Sequence, residues 1–245
     1  MMGGCRTSFI LIFLMFSNNL SSQIVEFINA GVSGNTTTDL IKRQSKIFDY
    51  EPDWVILMVG TNDMLNSRKL ESYASYERKL KHIVSRFKKQ KVKVVLVSPP
   101  TVDSIYLFKR HDKEKLFDEP NDKLVFVKRL MEKLADNSSV YFVDVFETFN
   151  SLGLPEHNKD EYIMNVVNSG YEDGVHPTPK GYQLIAQTID SSLKAQEVIL
   201  SGTVVCFGDS ITFGQGVVGE GTVEGKTYPS LLREILKNEN ILNEK

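Results

Sequence analysis

Five residues, far apart in the chain, are of the types needed to transfer an acyl group: Ser210, His176, Asp173, Asn62 and Gly34. Ser210 ends the run Thr203-Val204-Val205-Cys206-Phe207-Gly208-Asp209-Ser210, where β-forming residues lead straight into Gly-Asp-Ser. This pattern predicts a buried strand stopped by a tight turn that carries a hydroxyl. Taken alone, the tripeptide reads first as an ordinary polar turn, since such turns are common. A hydroxyl becomes a strong nucleophile when a neighbouring base takes its proton. His176 is a base of the right type. Asp173, three residues earlier, could fix the imidazole tautomer and offset its positive charge. Pro177 restricts the backbone of His176 to extended geometry, which helps aim the ring. The N–H groups of Ser210 and Gly34 and the side-chain amide of Asn62 are donors of the kind that hold a tetrahedral oxyanion.

The elements that must position these groups alternate in type. Strands are predicted at Ile24–Ile28, Asp53–Val59, Val92–Val97, Val140–Val143 and from Thr203 to Phe207. Between them, helical spacing marks Leu40, Ile41 and Phe48, then Tyr73 to Phe87, then Leu124 to Leu134, then Tyr182 to Leu193. Thr178 and Pro179 open the last of these as N-cap and first helical residue. A further helix is predicted over Tyr228–Leu236. Alternation of this kind implies a parallel sheet covered on both faces. All strand C-termini then share one edge, where ligands bind in open α/β sheets.

Two long loops remain. Residues 101–118 read as charged and irregular, a rim or lid over the site, with Tyr106, Leu107 and Phe108 as an apolar wall. Residues 153–172 form the second loop. His82, His111 and His157 are taken as bystanders, with His157 placed near the rim, and Asp63 and Asp209 as turn residues.

Composition bounds the rest. The 245 residues are 41% hydrophobic and 24% charged, with a formal net charge of -2, which gives no footprint for nucleic acid. Two cysteines, Cys5 and Cys206, make no disulfide framework, and no metal-ligand spacing is present. The apolar run Phe9–Phe16 is shorter than the roughly 20 residues that span a bilayer. It fits the core of a signal peptide within residues 1–22 and, alternatively, an N-terminal arm. The first implies a secreted or periplasmic protein, the second a cytoplasmic one.

Four blocks together resemble the GDSL/SGNH hydrolases: Gly208-Asp209-Ser210-Ile211, Gly34 in Gly-Val-Ser-Gly-Asn, Gly60-Thr61-Asn62-Asp63, and Asp173-Gly174-Val175-His176. Each is weak alone; jointly they span most of residues 24–245. The resemblance implies a flavodoxin-like three-layer α/β/α fold and a serine esterase needing neither cofactor nor metal. Its substrate would be a small-molecule, lipid or acetylated-sugar ester. By the same resemblance Ser210 is the nucleophile, Asp173 and His176 complete the triad, and Ser210, Gly34 and Asn62 form the oxyanion hole.

The order of the blocks departs from the family, in which the serine block comes first. Residues 203–245 placed before residue 24 would restore it, so the chain reads as a circular permutant forming one domain over 24–245. Residues Glu197–Gly202 would then join the old ends. A fragment of two domains is the rival, opposed by the absence of duplicated elements. A domain-swapped dimer is the rival to a monomer. Ester hydrolysis through an acyl-serine is the expected activity. A ligand-binding module without turnover, and a transesterase, are the alternatives.

Overall fold

The computed structural model describes residues 25–243. Residues 1–22, with the apolar run 9–16 and Cys5, lie outside them. In chain order the elements are β1 (Glu26–Gly31), α1 (Thr37–Ile47), β2 (Trp54–Met58), α2 (Thr61–Leu65), α3 (Tyr73–Lys89), β3 (Lys93–Val97), α4 (Ser104–Arg110), α5 (Lys113–Leu116), α6 (Pro120–Leu134), β4 (Val140–Val143), α7 (Val145–Ser151), α8 (Val166–Ser169), α9 (Pro179–Ala195), β5 (Thr203–Gly208), α10 (Ser210–Phe213) and α11 (Tyr228–Asn243). No helix among the described residues is long and apolar enough to cross a membrane.

The five strands form one parallel sheet in the order β1-β5-β2-β3-β4. The last strand in the chain therefore lies between the first two. Its register runs from Glu26↔Thr203 to Gly31↔Gly208 on one side and from Trp54↔Val204 to Met58↔Gly208 on the other. Side chains alternate across the sheet. Val55, Leu57, Val205 and Phe207 face α1, α3 and α6, while Trp54, Ile56, Val204 and Cys206 face α9 and α11. Both faces are thus covered, and all five residues of β2 are buried. Its nearly unbroken apolar run has this cause. The arrangement is the expected α/β/α layering.

Several local boundaries differ from the sequence reading. β1 continues through Asn29, Ala30 and Gly31 because its ladder with β5 continues that far. Residues 101–118 are not irregular but hold α4 and α5. Asp103 and Asp112 cap these helices by accepting from the N–H of Ile105 and Glu114. The Asn62 block starts α2, the 153–172 loop contains α8, Phe48 sits in a single 3-10 turn, and α11 extends to Asn243. Tyr73 is at the helix edge rather than in the core, 36% exposed against the ring of Phe126.

Gly208 sits where three segments meet. A Cβ there would lie 2.3 Å from the Met58 carbonyl oxygen and 2.2 Å from Thr212 Oγ1. Only glycine lets β5 lie against β2 and turn at once into α10. Gly208→Ala is therefore expected to lower stability by about 3 kcal/mol, seen as a large fall in melting temperature. An unchanged melting temperature would mean that this turn is not tight.

Candidate active site

Ser210 opens α10 directly beyond β5. Asp209 caps the helix, its Oδ1 accepting from the N–H of Ile211 at 3.0 Å. The serine is 7% exposed. Its Oγ lies 2.9 Å from His176 Nε2, and His176 Nδ1 lies 2.8 Å from Asp173 Oδ2. Residues 34 positions apart in sequence thus meet in a linear relay.

The acid and the imidazole are held by their own turn. Asp173 Oδ1 accepts from the N–H groups of Val175 at 2.8 Å and His176 at 2.6 Å. The backbone then pairs with residues 162–164: Gly174 and Thr178 donate to the carbonyls of Met164 and Tyr162, and Met164 donates to that of His176. Thr178 caps α9 as predicted, accepting from Gly181. The second loop is thus a strap under the imidazole.

Gly34 and Asn62 lie on the same side as Ser210 and His176, lining one pocket of about 160 Å³. Gly34 has φ +76°, a conformation that favours glycine. Its carbonyl accepts from Lys69 Nζ at 2.6 Å. Asn62 Nδ2 donates one hydrogen to the carbonyl of Asn35 at 3.1 Å, which fixes the amide and leaves its second hydrogen available. The N–H groups of Gly34 and Ser210 have no protein acceptor among the described residues. Leu65, Leu107 and Val175 supply apolar wall. Of the predicted wall only Leu107 lines the pocket. Tyr106 instead donates its hydroxyl to Asn158, and Phe108 packs against the core.

Arg110 and His111 also line the pocket, and the sequence reading missed them in this role. Arg110 Nη2 donates to the Asp173 carbonyl at 2.6 Å, and Nη1 reaches its carboxylate at 3.4 Å. Burial pushes the Asp173 carboxyl up, but the His176 hydrogen bond and the charges of His176 and Arg110 outweigh it and hold the pKa at about 2. His111 is no bystander by position: its Nδ1 is buried without a partner, and burial, then Arg110, push its pKa down. His157 is outside the pocket, its Nδ1 2.6 Å from Asp103 Oδ2, and His82 is exposed.

Asp63 and Asp209 are more than turn residues; both carboxyls are fully buried. Asp63 accepts from the Thr37 N–H with both oxygens and from the Thr37 hydroxyl, anchoring the start of α1. Burial raises its pKa to about 6 and that of Asp209 to about 7. Among the described residues no cluster of three or more His, Cys, Asp or Glu could hold a metal ion.

Fold and site together are those of an ester hydrolase of the three-layer α/β/α class. The sequence model of the GDSL-like lipase/acylhydrolase family matches residues 15–184, more than half of the chain, and the chain belongs to that family. The match ends before β5. An acetylxylan esterase from Geobacillus stearothermophilus is 26% identical over 167 residues, covering 66% of this chain and 69% of its own. A probable rhamnogalacturonan acetylesterase from Bacillus subtilis is 21% identical over 188 residues, covering 74% and 82%. Among solved structures, LAE5, an α/β hydrolase from the metagenome of Lake Arreo, superposes with a TM-score of 0.50 at 25% identity, covering 67% of this chain and 69% of its own.

Asp173 carries a pKa below its ordinary value of roughly 3.9. Its contribution to stability is therefore present above about pH 4 and lost as pH falls through about 2. Removing the Arg110 charge raises that pKa. Arg110→Gln should accordingly unfold at a higher pH than the parent in an acid titration followed by circular dichroism. Coincident titrations would show that the guanidinium does not stabilise the carboxylate.

Proposed function

We propose that this chain hydrolyses acetyl esters of sugars through an acyl-enzyme formed on Ser210. The observation that carries the reading is the relay of 2.9 Å from Ser210 Oγ to His176 Nε2 and 2.8 Å from His176 Nδ1 to Asp173 Oδ2. As Oγ bonds to the ester carbonyl carbon, His176 Nε2 takes its proton, and Asp173 stabilises the imidazolium. The N–H groups of Ser210 and Gly34 and the Asn62 amide take the charge that develops on the carbonyl oxygen. Collapse breaks the bond to the alcohol, which leaves with the proton from His176. A water then attacks the acyl-serine with His176 again as base, releasing acetate and restoring Ser210.

Two observations favour a short acyl group on a sugar. The pocket, about 160 Å³, lies below the roughly 300–1,000 Å³ typical of sites for drug-sized ligands. Two relatives are named as an acetylxylan esterase and a probable rhamnogalacturonan acetylesterase. The complete relay argues against a binding module without turnover. Hydrolysis and transesterification share these residues and differ in the acceptor.

The order of the chain is part of the proposal. We read residues 203–245 as the segment that opens the domain in other family members, joined here through residues 197–202. The sheet order, with β5 between β1 and β2, and a family match that stops at residue 184 support this.

Ser210→Ala should lower turnover of p-nitrophenyl acetate by four orders of magnitude or more, about the scale of nucleophile loss in serine hydrolases, with the circular dichroism spectrum unchanged. Parent-like turnover would eliminate the mechanism. A gene rearranged so that residues 203–245 precede residue 24 should give a folded enzyme with the same kcat on this ester. Failure of the rearranged chain to fold would overturn the permutation reading alone.

A further inference from the structure

A second groove lies beside the pocket, and the proposed chemistry makes no use of it. Two chain segments run past both. Leu65, Asn66 and His111 line the pocket, while residues 70–73 and 115–118 line the groove, which measures about 370 Å³. Between the two, the N–H of Asp112 donates to Ser67 Oγ at 3.2 Å and holds the segments together. The pocket and the groove are thus successive openings along one seam.

The groove's most unusual residue is Phe117. Its side chain is bulky and apolar, yet the residue is 94% exposed. Its backbone has φ +62° and ψ -47°, and the next N–H, of Asp118, donates back to the Leu116 carbonyl at 2.7 Å. This is a γ-turn of the positive-φ kind, rare and strained, and a phenylalanine at its centre is an outlier. Strained residues of this sort persist where the surroundings over-determine them, and they cluster at ligand clamps.

The surroundings here do so. Leu116 is buried, and its carbonyl also accepts from the inward-turned Lys123 Nζ at 3.1 Å. Asp118 accepts from the Tyr73 hydroxyl at 2.6 Å, tying the turn to the start of α3. The Phe117 ring is thereby held out in water, neither packed in the core nor replaced by a polar group. Tyr73 presents a second, partly exposed ring in the same groove.

We propose that this groove is a subsite for the glycan chain of the substrate, with Phe117 stacking on a pyranose ring one or more units away from the acetylated sugar. The inference rests on the esterase reading given above and extends it from the acetyl group to the polymer. A pyranose offers an apolar C–H face to an aromatic ring and hydroxyls to its surroundings. The groove has both matching parts: the rings of Phe117 and Tyr73, and beside them the carboxylates of Glu71 and Asp118, each already holding a protein donor, Lys79 or Tyr73, with lone pairs to spare. A long acyl chain is the competing occupant, because Leu70 and Leu116 add to the apolar lining, and the kinetics below separate the two.

The decisive variant is Phe117→Gly, because glycine adopts the positive φ without strain and the fold should be kept or gain in melting temperature. Kinetics would be measured on acetylated xylo-oligosaccharides and on p-nitrophenyl acetate. The variant is expected to raise KM for the oligosaccharides about threefold to tenfold, the scale of one aromatic contact. Its kcat, and all constants for p-nitrophenyl acetate, should stay the same, and Phe117→Tyr should restore the low KM.

An unchanged oligosaccharide KM in Phe117→Gly overturns the subsite. So does a variant that loses activity only on micellar long-chain esters, which would assign the ring to a lipid surface. A parent enzyme inert toward p-nitrophenyl acetate would instead bring down the esterase reading itself, and so the two failures are distinguishable.

Discussion

β5 enters the sheet between β1 and β2 and pairs with both along its length. The serine half of the candidate site follows from that insertion. Apolar burial of Val204, Val205 and Phe207 is worth roughly 1.5–3 kcal/mol per side chain, against about 1 kcal/mol net for a ladder hydrogen bond. Packing therefore draws the strand into the sheet, and the ladder then sets its register. The register matters because a slip of one residue would turn each side chain to the other face. In the observed register Gly208 comes level with Gly31 and Met58, and the next two residues stand at the sheet's C-terminal edge. Ser210 can then face His176, which arrives from a separate turn.

The strand ends are also stitched from outside the sheet. Arg43, on α1, donates to the carbonyls of Ala30 and Gly208 at 2.8 and 2.7 Å and to Asn35 Oδ1 at 2.7 Å. Its guanidinium lies 4.4 Å from the centre of the Phe207 ring. One side chain thus joins β1, β5 and the Gly34 loop, the three segments that converge near the N–H groups of Gly34 and Ser210. Burial lowers the pKa of Arg43 to about 10, which still leaves it charged at neutral pH. Gly31 adds a steric condition, since a Cβ there would meet the Phe213 backbone nitrogen at 2.1 Å. α10 can lie across the end of β1 because that residue has no side chain.

Much of this was legible from residue types. A buried strand covered on both faces leaves an apolar run ended by glycine, and three of the four blocks were found as polar groups placed just beyond such runs. Asp173 and His176 could be read together because one carboxylate serves both the turn and the imidazole, which fixes their spacing. Arg110 and His111 were not legible. They sit on α4 and just past its end, a helix of seven residues made by the cap of Asp103 and by packing against Gly174. Such a segment is too short for an apolar period to appear. The burial of Asp63 and Asp209 was equally hidden, because an aspartate in a short polar block opened by glycine reads as a turn residue. What buries them is the convergence of strand ends, which is a property of the sheet rather than of either tetrapeptide.

The two halves of the site consequently depend on different supports. The serine half is built from sheet, where the cost of displacement is spread over several buried side chains. The acid half hangs on α4, through the Asp103 N–H to the Gly174 carbonyl at 2.7 Å, the Arg110 contacts to Asp173, and an exposed Lys109–Glu172 pair. An exposed pair of that kind contributes little. The close packing of Gly174, where a Cβ would lie 2.8 Å from Tyr106 Cβ, sets how near α4 comes to this turn. α4 also supplies Leu107 and Arg110 to the pocket wall and leads into the seam that continues to Phe117. Changes in α4 thus act at once on the orientation of Asp173 and on the shape of the opening. Local changes within β5 act on neither without first disturbing the sheet.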